Sequence, residues 1–156
     1  MFPDMFPDMF IAVTEADFDP VAEIAALEAL GGGGVATFTG LVRGDDDLVE
    51  LRLDHYPAMT AVQVDRIAAL AAERWPLLGI RIIHRVGGLG PGARIVFVGT
   101  ASRHRKAALE SCAFLIDWLK TSAPFWKKES FADGRSHWVE ARAEDYAQLS
   151  GWGAGV

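Results

Sequence analysis

The sequence holds one cysteine, Cys112, among 156 residues, so no internal disulfide can form and no cysteine cage can hold a metal. It has no uninterrupted apolar run long enough to span a bilayer. No N-terminal stretch has the charge, apolar core and small-residue order of a secretory signal. The Gly-x-Gly-x-x-Gly turn, the Walker A loop and the His-Glu-x-x-His pair are all missing. An excess of basic charge is missing too: 15 Lys and Arg stand against 21 Asp and Glu, a formal net charge of −6. That balance argues against a broad nucleic-acid surface, and any anion site must be a local cluster on an acidic background. These absences lead to an expectation of a soluble, cytoplasmic protein with no resident metal or cofactor.

What is present suits one globular domain. Apolar residues make up 51% and charged residues 23%, enough to build a core and too little charge for a disordered chain. The first ten residues, MFPDMFPDMF, repeat a four-residue unit too short for a solenoid. We expect residues 1–15 to form a mobile tail, residues 16–146 the domain, and the glycine-rich 147–156 a flexible tail.

Asp19-Pro20 followed by Val21, Ile24 and Leu27 reads as a capped helix start, ended by Gly31 to Gly34. Val35 to Arg43 reads as a strand. Gly44 to Asp47 turns it toward the alternating Val49, Leu51 and Leu53, predicting a hairpin with one buried face. A helix from about Thr60 to Trp75 follows Tyr56-Pro57 and stops at Pro76. Strands over 80–86 and 93–100 are joined through Gly87 to Gly92. Ser102 can cap the next helix, with the stripe Leu109, Cys112, Ile116 and Leu119, and Pro124 prevents continuation past Ala123. Phe125 to Phe131 and Ser136 to Ala141 flank Ala132-Asp133-Gly134-Arg135, a hairpin signal. The pattern is α+β, antiparallel-rich with about three helices, and disfavours a doubly wound nucleotide fold.

Three cationic clusters bear on chemistry. Arg43 ends the first strong strand. Arg103-His104-Arg105-Lys106 stands where a strand hands over to a helix N-terminus, a place that favours anions and disfavours cations unless an anion sits among them. A solvated basic rim is the alternative for Arg103 and Lys106. Lys120, Lys127 and Lys128 surround Phe125-Trp126 in LKTSAPFWKKE. Lys120 has Ile116 and Asp117 one turn back, which suits either a reactive lysine or a lysine that complements the helix dipole. A reactive lysine needs its pKa lowered by desolvation or neighbouring cations, which Phe125-Trp126 and Lys127 can supply. Cys112 lies on an apolar stripe and reads as core, and His84 as structural. His55 follows the alternating strand, and Tyr56-Pro57 beside it reads as shaping a pocket edge. His104 and Lys120 are sixteen positions apart, about 24 Å if the span is helical. One small substrate cannot touch both, so a site using both must be shared between two copies of the chain.

In order along the chain, VATFTGLVR, HYPAM, RWPL, IIHRVGGLGPG, IVFVGTASRHR, DWLKTSAPFWKKE and WVEAR resemble the large, catalytic subunit family of molybdopterin synthase over about residues 34 to 145. The resemblance implies an α/β-hammerhead-like fold and a homodimer within a heterotetramer. It also implies a ubiquitin-like small subunit as partner, whose C-terminal Gly-Gly thiocarboxylate carries sulfur. The implied reaction converts cyclic pyranopterin monophosphate to molybdopterin. Carried across by position, Lys120 and Lys127 match the catalytic lysines. Arg43, His104, Arg105 and Arg142 match substrate-binding positions, with His104 and Arg105 from the opposite protomer. Lys128 and Glu129 match positions that flank the site. Leu41 stands where some relatives carry lysine. Phe38 and Trp126 line the pterin surface or pack in the core. The alternatives are a non-catalytic module that binds a ubiquitin-like C-terminal tail, and a domain that binds phosphorylated pterins or nucleotides alone.

Overall fold

The computed structural model of the chain describes residues 6–156, and its strands divide between two four-stranded sheets. The first runs in the order β1 (Asp8–Thr14), β4 (Leu77–Arg85), β6 (Arg94–Ser102), β2 (Gly34–Leu41). β1 lies parallel to β4, and the other pairs are antiparallel. Helices cover both faces. On one side α2 (Pro57–Arg74) and α3 (Arg105–Thr121) bury Ile67, Phe114, Leu115 and Trp118 against Ile80, Ile82 and Val98. On the other, α1 (Pro20–Glu28) sets Leu27 against Ile83 and Phe97. Side chains alternate along a strand, so a strand covered on both faces carries a near-continuous apolar run. LLGIRII in β4 is such a run.

The second sheet has the order β5 (Gly87–Leu89), β3 (Leu48–His55), β7 (Phe125–Phe131), β8 (Ser136–Val139), antiparallel throughout. Its inner face is a small core of Val42, Leu48, Leu53, Val86 and Leu89, with Phe125 and Phe131 packed against it. A fourth helix, α4 (Ala143–Ser150), packs on α3. The α+β, antiparallel-rich, hammerhead-like reading holds. Among the described residues no helix is long and apolar enough to cross a membrane.

Several local expectations are corrected. β2 and β3 do not pair with each other. β2 pairs with β6, and β3 with β5 and β7. The turn between them, with Asp46 and Asp47 at positive φ, passes the chain from one sheet to the other. Alternation identified each strand, but burial against distant segments chose its partner. The mobile tail expected over 1–15 is corrected for residues 8–14. These form β1, in register with Gly79 to Arg85 of β4, because Ile11, Ala12 and Val13 find apolar cover there. Residues 1–5, half of the repeat, lie outside the described residues. The flexible tail expected over 147–156 is corrected too, since Leu149, Trp152 and Val156 pack on the main core.

Ser102 caps no helix. It ends β6 and donates its hydroxyl to the Pro76 carbonyl at 2.8 Å, while His104 stands at the N-cap of α3 with no side-chain capping bond. Leu109 is exposed, and the buried stripe of α3 runs instead through Ala108, Cys112, Leu115 and Trp118. The glycine-rich linker holds the short strand β5. α2 begins at Pro57, whose fixed φ suits the first turn.

Candidate functional site

Two depressions flank the C-terminal end of α3. The first, about 670 Å³, is lined by Thr121, Ala123, Phe125, Glu129, Val139, Glu140, Ala141, Asp145 and Tyr146. The second, about 540 Å³, is more apolar, with Phe38, Leu41, Ile95, Val96, Val98 and Ile116 around His84 and Thr39. Arg43, Leu119, Lys120, Lys127 and Arg142 line both. Four cations from four places in the fold therefore form one common wall. Arg43 follows β2, Lys120 stands in the last turn of α3, Lys127 is on β7, and Arg142 precedes α4.

Lys127 is placed by strand register. It pairs with Leu53 on one side and Val139 on the other, and residues on one face of a strand alternate. Phe125, Lys127 and Glu129 therefore face the cavities, while Trp126 and Lys128 face outward. Burial is the main cause that lowers the Lys127 pKa, and the charge of Lys120 adds to it. Asp145 opposes the shift. Like charge beside a desolvated amine favours its neutral form. Such an amine gives up a proton more readily than an exposed lysine, which suits it to acid/base work.

Asp117 does not pair with Lys120. Its carboxylate accepts the Trp152 indole N–H at 2.7 Å. Lys120 is exposed at the rim. Arg43 is 80% exposed in its side chain, with a loose 3.6 Å contact to Asp45. Arg142 reaches Glu144 at 3.0 Å, and its backbone N–H donates to Asp145 at 3.2 Å, which starts α4 beside the cavity.

The other expected residues sit as follows. Glu129 lines the first cavity and lies 3.6 Å from His137. Lys128, on the outer face, lies over the Trp138 ring at 5.7 Å and lines neither cavity. Trp126 is outside as well, edge-on to Tyr56 at 5.0 Å. His55 packs near Phe125 at 5.9 Å, and its Nδ1 meets the Thr60 hydroxyl at 3.0 Å. Phe38 and Leu41 line the second cavity. His104 and Arg105 open α3 at its far end and line neither depression. The helix between them and Lys120 is unbroken, so the separation of about 24 Å stands.

Sequence reasoning did not place Asp145, Tyr146 and Glu140, from the segment beyond β8, in a cavity lining; His84, read as structural, is buried against Phe125 and also lines the second cavity. Tyr146, Leu149 and Trp152 do fall at helical spacing, and that was the available signal for α4. Cys112 is buried and its thiol is pushed up to about 12 by burial. A thiol so protonated is no nucleophile.

The MoaE protein family matches residues 13–122. A Pseudomonas aeruginosa protein named molybdopterin synthase catalytic subunit is 50% identical over 149 residues, covering 92% of this chain and 99% of its own length. A Brucella melitensis protein of the same name is 47% identical, covering 91% of this chain and 90% of its own length. Among solved structures, the molybdopterin biosynthesis MoaE protein from Burkholderia ambifaria superposes with a TM-score of 0.79 at 45% identity. That match covers 96% of this chain and 99% of the other.

Proposed function

The chain belongs to the MoaE protein family and is an enzyme, the catalytic subunit of a molybdopterin synthase; from that premise we propose how its site works. It transfers sulfur from the C-terminal thiocarboxylate of a ubiquitin-like small subunit to cyclic pyranopterin monophosphate. One observation carries the reading: Arg43, Lys120, Lys127 and Arg142 form a single cationic wall shared by two cavities. Two anionic reactants, a thiocarboxylate tail and a cyclic phosphate, can approach that wall from opposite sides. Preorganised cations hold them together and stabilise the charge that develops as they react.

Each transfer forms a carbon–sulfur bond on the pterin side chain in place of a carbon–oxygen bond there, whose oxygen leaves with the opened phosphate ring or as water, and breaks the carbon–sulfur bond of the thiocarboxylate. Water takes the place of sulfur on the partner's tail, which leaves as a carboxylate. Lys127, with its lowered pKa, gives and takes the protons, including the one required when the phosphate ring opens. Lys120 holds the tail's negative charge at the rim. The inert Cys112 agrees with sulfur arriving from the partner.

His104 and Arg105 enter through a second copy. Standing at the opposite end of α3 from Lys120, they complete the phosphate site of the neighbouring protomer. The assembly is a homodimer carrying two small subunits. Reconstitution with purified chain, thiocarboxylated small subunit and cyclic pyranopterin monophosphate tests the reading. Molybdopterin forms with the wild type and almost none with Lys120→Ala. A stable complex with the small subunit that yields no product overturns it in favour of a binding module.

A further inference from the structure

The second cavity has an imbalance that the reading above leaves unused. Its charged side chains, Arg43, Lys120, Lys127 and Arg142, are all donors, and no carboxylate among the described residues lines it. The remaining polar side chains in its lining are Thr39 and His84. His84 stands one residue before the end of β4 with its side chain on the same face as Ile80 and Ile82, only 4% exposed. Its ring stacks on Phe125, with centroids 4.1 Å apart and planes at 21°.

Its tautomer follows from one contact. Nδ1 lies 2.8 Å from the Arg85 carbonyl oxygen, which can only accept, so Nδ1 carries the proton. Nε2 keeps its lone pair. Trp118 Nε1 is the only fully buried side-chain nitrogen or oxygen without a partner among the described residues. Nε2, with no bond of its own, therefore remains in reach of solvent, and the space that His84 borders is the second cavity. The ring stays neutral at pH 7, because burial, Lys127 and His55 hold its pKa at about 4 against the opposing Arg85 bond.

From the cavity lining and the Nδ1 bond we infer that His84 contacts the substrate heterocycle directly, its Nε2 accepting a hydrogen bond from a ring N–H or exocyclic amino group. This rests on the proposed function, and adds the residue that reads the heterocycle rather than its phosphate. A pterin is flat, apolar on its faces and rich in N–H donors. The aliphatic walls suit its faces and the cations suit its phosphate, but its donors need an acceptor. An unpaired donor in such a cavity is costly, so an acceptor there discriminates between heterocycles.

Steady-state kinetics of the reconstituted enzyme test this. His84→Phe keeps a flat ring against Phe125 and removes the acceptor. The KM for cyclic pyranopterin monophosphate rises about tenfold, the scale of one buried hydrogen bond. The KM for the small subunit stays at the wild-type value, and His84→Gln, which restores an acceptor, recovers part of the loss. An unchanged substrate KM, or both KM values shifting together, overturns the inference. Wild-type protein with 15N-labelled histidine gives a measurement independent of how the variants fold. Adding substrate shifts the Nε2 resonance and leaves Nδ1 in place, and a stationary Nε2 refutes the contact. A wild type that makes no molybdopterin removes the proposed function itself, whereas an active wild type with a silent His84→Phe removes only this inference.

Discussion

Trp152 donates its indole N–H to Asp117 across 2.7 Å, and that bond ties the end of the chain to the helix that carries Lys120. The Trp152 ring meets Trp75 and Phe114 edge-on at 5.7 and 5.6 Å. Arg74 donates to the carbonyls of Trp152 and Ala154 at 2.6 and 3.0 Å. The segment thus straps α4 to α3, and α4 brings Asp145 and Tyr146 to the first cavity.

Removing the anchor should loosen that wall. Trp152→Ala is expected to lower stability by about 3 kcal/mol, the low end for losing a tryptophan because this one is only partly buried. Asp117→Asn should cost about 1 kcal/mol, the worth of weakening one hydrogen bond. Urea unfolding measures both. A Trp152→Ala midpoint equal to wild type would mean that the strap holds nothing.

Lys127 sets function against stability. Its folded pKa lies below its unfolded one, so between the two values the unfolded chain binds more protons and stability rises with pH. Below that window the buried ammonium costs stability. Lys127→Met, with a similar shape and no charge, should therefore melt at a higher temperature than wild type at pH 7. It should also lose at least about 100-fold in turnover, as expected for removing an acid/base group. Calorimetry and single-turnover product formation check the two arms, and a Met variant less stable than wild type contradicts the desolvation argument.

How much of this was legible in the sequence depends on the range of the forces involved. Local signals placed α1, α2, α3 and the β7–β8 hairpin, since caps, prolines and a four-residue turn act over a few residues. The β2–β3 hairpin failed because the Gly44–Asp47 turn looks the same locally whether the next strand returns alongside or joins another sheet. β1 failed because the strand it pairs with, β4, lies some seventy positions away. The cations of the site were legible as residue types, and the resemblance gave them roles. Their convergence was not legible, because Arg43, Lys120, Lys127 and Arg142 meet only when both sheets and α3 are assembled. Lys128 is the opposite case: alternation along the strand read over Phe125 to Phe131 is enough to turn it away from Lys127.

Arg43 provides a contrast with Lys127. Its side chain is largely exposed and its only ion pair among the described residues is a loose one with Asp45, so Arg43→Ala should leave stability within about 0.5 kcal/mol of wild type. A lost charge-assisted contact to substrate should nevertheless raise the KM for the cyclic phosphate at least about tenfold. Unchanged kinetics would take Arg43 out of the site.

His84 makes the fold sensitive to acid. Its folded pKa of about 4 lies below the ordinary 6.5, so the unfolded chain takes up a proton first as pH falls. The stability present above pH 6.5 is lost progressively down to about pH 4, to a total of about 3 kcal/mol for a shift of this size. Denaturant unfolding at pH 7 and pH 4.5 should show a smaller drop for His84→Phe than for wild type. Equal drops would assign the acid sensitivity to other groups.

The proposed sharing of the site between protomers has a numerical consequence. Suppose each site takes Lys120 from one chain and His104 from the other, as the two ends of an unbroken α3 require. Homodimers of Lys120→Ala and of His104→Ala then contain no intact site. In a mixed dimer, the His104→Ala chain supplies its lysine and the Lys120→Ala chain its histidine, so one site is whole while the other carries both lesions. Random exchange makes half the dimers mixed, which restores about a quarter of all sites in a two-fold assembly. Unfolding, mixing and refolding the two inactive variants should therefore recover activity approaching a quarter of wild type. Were both residues used within one chain, every site would keep its single lesion and mixing would recover nothing.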